Sequence, residues 1–192
     1  MRRGELTGDP TVVALRLLGA TVAVGEVVVR LVEVEAYGGA DDEASHAFRG
    51  ERVANRTMFG PPGHLYVYLS YGLHSCANVV CGPPGAPGAV LLRAADILEG
   101  VGIVRVRRGR DDRHRRLAGP GTLCQGLGID RAYDGVDLCE DASEVRLELG
   151  RHEPGESVLA GPRVGITKAT DRPWRYRLVG PAPAVDALIG PC

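Results

Sequence analysis

The spacing of apolar residues along the chain predicts short helices and short strands in mixed order. Helical spacing and strand-like alternation follow one another without the regular succession of a βαβ protein. The predicted helices cover residues 10–18, 41–48, 97–108 and 120–127, and the predicted strands cover residues 20–24, 26–35, 64–69, 73–81, 89–94, 144–149, 162–167 and 174–180. We therefore expect a mixed α/β (α+β) fold in which helices surround a curved, mainly antiparallel β-sheet.

The predicted strand at residues 26–35 has apolar residues at both odd and even positions, which is typical of a central strand buried on both faces. Glu33 and Glu35 interrupt the apolar run at its end, and Tyr37 follows them. A carboxylate at the end of a buried strand costs free energy unless it is paired or has a function. An ion pair with an arginine or a helix cap would account for either glutamate, and for a single glutamate that structural role is the commoner one.

Tyrosines are concentrated in a predicted hairpin, where Tyr66, Tyr68 and Tyr71 fall within six residues. Apolar runs on both sides of Tyr71-Gly72 give the hairpin pattern. Ordinary sheet packing is a sufficient explanation for Tyr66, which shares a strand face with Tyr68. Tyr71 falls at the turn, where a large ring has little core to join. An aromatic side chain exposed at a hairpin tip is suited to fill the gap that an extruded nucleotide leaves in a duplex.

Length and composition are those of one globular domain, so we expect a single domain over residues 1–192 with its core at about 12–180. No apolar run is long enough to span a membrane, and no apolar segment follows Met1-Arg2-Arg3 as it would in a secretory signal. The five cysteines form no Cys-x-x-Cys pair, which favours free thiols in a reducing cytoplasm over disulfides or structural zinc.

Basic charge is unevenly distributed in a chain whose formal net charge is −1. Residues 105–116 contain seven arginines and two aspartates, and Arg49, Arg52 and Arg56 form a second basic group. A solvated basic loop is the commoner explanation of such a run. The functional alternative is a surface that binds phosphates.

Several long segments carry a family resemblance. They are VEVEAYGGADDEASHAFRG, NRTMFGPPGHLYVYLSYGLHSCANVV and VLLRAADILEG, followed by GPGTLCQGLGI, GPRVGI and PWRYRLVG. Together they resemble the alkyladenine (3-methyladenine) DNA glycosylase family over about residues 12–180. The resemblance implies a single mixed α/β domain built around a curved sheet, from which the β-hairpin protrudes.

The resemblance also implies catalytic roles. Glu35 matches the general base that activates the attacking water, and Arg93 matches an arginine that helps to hold that water. The segment Arg163-Val164-Gly165 matches a stretch whose backbone touches the same water. No metal and no organic cofactor is implied.

The remaining matches concern the DNA. Tyr37, His46 and Tyr68 match residues that enclose the flipped base, and Asn78 matches an asparagine that disfavours the exocyclic amine of guanine. Tyr71 matches the side chain that intercalates through the minor groove. The implied partner is double-stranded DNA containing damaged purines, bound by a monomer.

Two positions depart from the family pattern. Thr122 stands where members often carry lysine, so the sequence does not predict the phosphate contact that this lysine would make. Leu73 stands where some members carry methionine. The sequence does not rank 3-methyladenine, 7-methylguanine, hypoxanthine, ethenoadenine or a bulkier adduct as the substrate.

Two other function classes need to be weighed. A non-catalytic minor-groove binder is disfavoured because Glu35, Arg93 and His46 are all present. A nucleoside hydrolase would have no use for an exposed Tyr71 or for the Arg-rich segment. Lys168 is the single lysine of the chain, so the Schiff-base chemistry of bifunctional glycosylases has few candidate amines. The sequence therefore predicts a monofunctional hydrolase.

Overall fold

The valine-rich segment Val27–Tyr37 forms the central strand of a curled antiparallel sheet, as its two buried faces predict. The computed structural model describes residues 1–109 and 116–180. Their strands are β1 (Thr21–Val24), β2 (Val27–Tyr37), β3 (Leu65–Ser70), β4 (His74–Val80), β5 (Ala89–Glu99), β6 (Arg116–Ala118), β7 (Val145–Glu148), β8 (Ser157–Gly161) and β9 (Arg175–Val179). The main path runs β3-β4-β5-β2-β1-β7, β6 joins β5, and β9 joins both β2 and β8. The expected mixed α/β fold is confirmed.

Three α-helices in the described ranges cover the sheet: α1 (Pro10–Leu17), α2 (Val101–Arg108) and α3 (Pro120–Leu127). Asp9 caps α1 by accepting a hydrogen bond from the Thr11 amide at 2.8 Å, and Pro10 occupies the first helical position. The apolar side chains of α1 and α3 pack with those of β2 and β5 in one large core. A smaller cluster around Met58 and Tyr66 lies beneath the hairpin.

The predicted hairpin is formed by β3 and β4, with Tyr66 opposite Asn78 and Tyr68 opposite Cys76. Tyr71 and Gly72 both have positive φ, at 52° and 69°, the combination that a type I′ hairpin turn requires. A tyrosine is an uncommon residue at positive φ. The tip is open to solvent, with Tyr71 92% exposed.

Three predicted elements were wrong in whole or in part. Residues 41–48 form turns instead of a helix, because the Asp42 carboxylate binds the amides of Gly38 and Ala44 locally. Residues 162–167 form a loop instead of a strand, and the neighbouring strand β8 lies just before them. The predicted helix at 97–108 begins only at Val101, because β5 continues its pairing with β2 through Glu99.

The described residues contain four cysteines, all of them free thiols: Cys76, Cys81, Cys124 and Cys139. Cys192 lies outside these ranges. No helix in the described part of the chain combines the length and the apolar character that crossing a bilayer requires.

Candidate active site

A cavity of about 500 Å³ opens between the end of β2, the β3–β4 hairpin and the loop after Gly161. Its walls are mostly aromatic and apolar, with a few polar side chains among them. The lining residues include Tyr37, His46, Met58, Tyr66, Tyr68, Tyr71, Asn78, Arg93, Val164 and Gly165. The structure thus brings to one cavity every residue for which the family resemblance implied a contact with the base or the DNA.

Glu35 lies directly behind this cavity and has no solvent-exposed surface. Its Oε1 atom accepts a hydrogen bond from the Val164 amide at 2.7 Å. Its Oε2 atom accepts one from the Tyr37 hydroxyl at 2.9 Å and one from Arg93 Nη1 at 3.3 Å. An ionised carboxylate has about four acceptor positions, so these three donors leave about one free.

Arg93 reaches Glu35 because a bulge interrupts the pairing of β5 with β2. Glu33 pairs with Ala94 and Val34 pairs with Leu92, so Arg93 is the extra residue between them. Its Nε donates to Glu33 Oε1 at 2.9 Å. Both glutamates at the end of β2 are therefore paired with the same guanidinium.

Glu33 is a site residue to which the family resemblance assigned no role. It also lies 3.6 Å from Arg175 Nη1, so a second arginine contributes to its neutralisation. Acidic residues two positions apart on a buried strand were the available sequence signal. The arginines that bind them come from β5 and β9, and no sequence pattern predicted that convergence.

Three rings that contact one another form an aromatic wall of the cavity. The rings of His46 and Tyr68 meet edge to face at 4.4 Å, and those of Tyr66 and Tyr68 stack at 5.7 Å. His46 Nδ1 lies 3.0 Å from the Tyr66 hydroxyl. His46 is exposed to the open cavity, but the protein atoms around its ring desolvate it in part, and this desolvation holds the pKa of His46 below its usual 6.5.

Burial keeps the cavity tyrosines neutral. It raises the pKa of Tyr66 to about 12, and it raises the pKa of Tyr37 further, with the adjacent Glu35 charge adding to the effect. Tyr37 therefore remains a hydroxyl donor to Glu35 at any physiological pH. Burial likewise raises the pKa of the Cys76 thiol, which disfavours a reactive thiolate in the cavity.

Asn78 and Tyr71 both line the cavity but differ in burial. Asn78 is buried, and its side-chain amide donates to the Tyr66 carbonyl at 3.0 Å, which fixes the orientation of the amide group. Tyr71 is at the exposed rim, on the hairpin turn.

The Arg-rich segment is only partly described, since residues 110–115 lie outside the described ranges. Within them, Arg107 donates to the Gly126 carbonyl at 2.9 Å, and Arg116 binds both oxygens of Asp96. These two arginines are thus engaged with the protein. Arg52, from the second basic group, lines a neighbouring cavity that shares His46 and Tyr68 with the first.

Comparisons with known proteins identify the family of this chain. A family model for methylpurine-DNA glycosylases matches residues 5–182. A Mycobacterium tuberculosis protein (strain ATCC 25618 / H37Rv) named "Putative 3-methyladenine DNA glycosylase" is 50% identical over 193 aligned positions, which cover 97% of this chain and 93% of that protein. Proteins of the same name from Nocardia farcinica and Mycolicibacterium paratuberculosis are each 50% identical over 189 positions, covering 95% of this chain and 89% and 90% of theirs. The resemblance found in the sequence is confirmed, and the chain belongs to the methylpurine-DNA glycosylase family.

Proposed function

We propose that this protein flips alkylated or deaminated purines out of duplex DNA and hydrolyses their N-glycosidic bond with a water molecule, leaving an abasic site. The observation that carries the proposal is the position of Glu35. A fully buried carboxylate lies behind a cavity with aromatic walls that is large enough to admit a purine, and three donors hold both of its oxygens. Burying such a charge away from any function is costly, so its place at the cavity floor favours a chemical role.

Extrusion of the nucleotide is the first step, at a cost of a few kcal/mol that is lowest for damaged bases. The rings of Tyr37, His46 and Tyr68 would enclose the flipped base. A cationic N-alkylated purine gains further from attraction to the tyrosine π-faces. Asn78, with its amide already fixed on the Tyr66 carbonyl, would disfavour the exocyclic amine of guanine.

Hydrolysis follows at the floor of the cavity. Tyr37, Arg93 and Val164 line the cavity and all donate to Glu35, so the attacking water would bind where these groups meet. Because Glu35 itself has no exposed surface, a small displacement of these groups would bring the water to its remaining acceptor position. Glu35 would take one proton of this water as its oxygen bonds to the sugar C1′. The C1′–N bond breaks with its electron pair going to the base, and the carboxylate charge stabilises oxocarbenium character at C1′.

Water is proposed as the nucleophile because no suitable amine lies in the described cavity. Lys168 is 67% exposed at its side chain and lies 3.8 Å from Glu43. An arginine cannot form a Schiff base, because its guanidinium stays protonated. The enzyme is therefore proposed to be monofunctional.

Product analysis tests this proposal. The protein is incubated with duplexes that each carry one lesion, namely 3-methyladenine, 7-methylguanine, hypoxanthine or ethenoadenine, and with the corresponding free nucleosides. We expect a released base and a strand that breaks only after alkali treatment, with the free nucleosides left intact. Borohydride trapping of an enzyme–DNA adduct that disappears in Lys168→Ala would contradict the monofunctional mechanism.

A further inference from the structure

The loop that supplies the Val164 amide to Glu35 is anchored by a buried ion pair on the preceding residue. Arg163 Nη1 lies 2.6 Å from Asp42 Oδ2, and Arg163 Nη2 lies 2.8 Å from Asp42 Oδ1. Both side chains are completely buried. Two parallel hydrogen bonds of this kind fix the relative orientation of the two groups as well as their distance.

Arg163 makes further contacts with the backbone of the site. Its guanidinium donates to the Ala36 carbonyl, adjacent to Glu35, at 3.1 Å, and to the Ala169 carbonyl at 3.4 Å. Ala169 has a positive φ of 47°, a strained conformation for alanine. The guanidinium also lies over the Tyr37 ring, 4.6 Å from its centroid. Arg163 thus contacts the strand that carries Glu35, the loop that binds Glu35 and the tyrosine that donates to it.

Asp42 provides the other half of the anchor. Its carboxylate accepts hydrogen bonds from the Gly38 amide at 2.9 Å and the Ala44 amide at 3.2 Å, so it holds the turn that leads from β2 to His46. Burial alone would raise the pKa of Asp42, but Arg163 and these amides outweigh it and hold the pKa below its usual value. The pair is therefore ionised at neutral pH.

Stability alone is a poor explanation of this pair. The desolvation of two buried charges can cancel their attraction, and apolar replacements of buried ion pairs are often neutral or stabilising. Arg163 Nε is in addition buried without a hydrogen-bond partner among the described residues, which adds to the cost of burial. What the pair supplies is a fixed geometry.

We propose that Arg163 and Asp42 are positioning residues for base excision: their ion pair fixes the Val164 amide and the Tyr37 ring against Glu35, and so sets the direction in which the carboxylate meets the attacking water. The inference rests on the proposed role of Glu35 as the base. Neither residue touches the cavity-bound nucleotide in this scheme.

The chain contains a matched control pair. Arg30, also on β2, binds both oxygens of Glu156 at 2.8 and 2.7 Å and donates to the Arg151 carbonyl at 3.3 Å. The side chains of Arg30 and Glu156 are 7% and 5% exposed. This second bidentate pair matches the first in chemistry and burial but contacts no residue of the cavity.

The test compares Arg163→Lys with Arg30→Lys. Lysine keeps the charge but cannot form the two parallel hydrogen bonds. Single-turnover excision, affinity for a duplex that carries a tetrahydrofuran abasic analogue, and the thermal unfolding midpoint are measured for both. We expect Arg163→Lys to excise on the order of 10²-fold more slowly, because small displacements of catalytic groups have effects of this size. Affinity for the abasic analogue should stay within about threefold, because no base is present to contact the walls. Arg30→Lys should lose comparable stability and keep its excision rate.

Equal excision rates in the two lysine variants would overturn the proposal. If Arg163→Lys does not fold, Asp42→Asn compared with Glu156→Gln makes the same test. Failure of both site variants to fold at a temperature where both controls fold would mean that the pair is structural, and would also overturn it. Glu35→Gln is assayed in parallel. Normal excision by Glu35→Gln would refute the proposed function itself, whereas an inactive Glu35→Gln together with a normal Arg163→Lys would refute only the positioning role.

Discussion

The floor of the cavity and the tip of the hairpin lie on the same cavity but are built in opposite ways. At the floor, Glu35 is fully buried and accepts three hydrogen bonds from three separate segments of the chain. At the tip, Tyr71 is 92% exposed and Leu73 is 76% exposed. The groups at the floor find their hydrogen-bond partners within the protein, whereas the apolar side chains at the tip are exposed to solvent.

The difference indicates where each region finds its partner. Preorganised groups require little rearrangement at the moment of reaction, which is the property expected of a catalytic floor. An exposed aromatic residue at positive φ contributes little to the stability of the unbound protein. Its side chain is instead available to contact a binding partner. Under the proposed function, this partner is duplex DNA with a gap left by an extruded base. Substitutions at the floor should therefore alter chemistry, and substitutions at the tip should alter binding.

The largest effect is expected for Glu35→Gln. The amide is nearly isosteric but cannot take a proton from water, so single-turnover base release should fall on the order of 10²- to 10⁴-fold. Binding of a lesion-bearing duplex should persist, because the cavity walls are unchanged. Glu33→Gln is the neighbouring control, since it alters a partner of Arg93 and leaves the proposed base in place. A similar loss of rate in both variants would mean that excision depends on the negative charge around Arg93 and not on Glu35 as the general base.

Tyr71→Ala tests the other side of the comparison. Stacking of an aromatic side chain on bases contributes roughly 1–3 kcal/mol, so affinity for damaged duplex should weaken by about 5- to 150-fold. The unfolding midpoint should hardly change, because the ring is exposed. Tyr71→Phe keeps the ring and should bind like the original protein. If fluorescence anisotropy shows the same affinity for the alanine variant as for the original protein, Tyr71 does not fill the gap left by the flipped base.

Local patterns predicted the elements on which both regions are built. The two-faced apolar run ending in Glu33 and Glu35 predicted β2 and its acidic end, and the tyrosines around Gly72 predicted the hairpin with Tyr71 at its tip. Both features depend on residues adjacent in sequence. The family resemblance, and not the pattern alone, assigned the cavity roles to the other residues.

Contacts between distant segments could not be predicted in this way. Arg163 and Asp42 are 121 residues apart in sequence. The family resemblance drew attention to the backbone around Arg163, but nothing in the sequence indicated that its side chain pairs with Asp42. The bulge at Arg93 depends on the register of two strands. The loop at 162–167 has apolar residues that favour a strand, but in the structure the Val164 amide binds the Glu35 carboxylate.

The basic surface gives a third, smaller prediction. Arg107 and Arg116 are bound to the protein, whereas Arg49 and Arg52 are exposed, and Arg52 lies beside the aromatic wall. If both exposed arginines contact phosphates, the double variant Arg49→Gln/Arg52→Gln should flatten the slope of log affinity against log salt by about 2.

The control for the salt experiment makes the same change of charge at the far edge of the sheet. Arg146 and Arg151 are exposed there, on and just after β7. Their double glutamine variant should keep the original slope. Equal slopes for the two double variants would mean that Arg49 and Arg52 do not contact phosphates, and would favour the segment 105–116 as the phosphate-binding surface.

The smallest expected effect concerns lesion charge and His46. Desolvation lowers the pKa of His46 below 6.5. The ring is therefore neutral at pH 7.5 and becomes protonated only when the pH falls below 6.5. A protonated ring in the wall would repel a cationic base such as 7-methylguanine but not a neutral one such as ethenoadenine. Affinity for the cationic lesion should therefore fall a few-fold more between pH 7.5 and 5.5 than affinity for the neutral lesion.

Glu35→Gln is the background in which to measure this difference, because it leaves the lesion intact during the binding measurement. His46→Gln in the same background should abolish the difference between the two lesions, since the amide carries no charge at either pH. The sign matters: a loss of affinity confined to pH above 7 would contradict a neutral His46 in the wall. Parallel pH curves for both lesions would mean that the flipped base does not rest against this ring, and the aromatic wall would then have to be assigned to Tyr37 and Tyr68 alone.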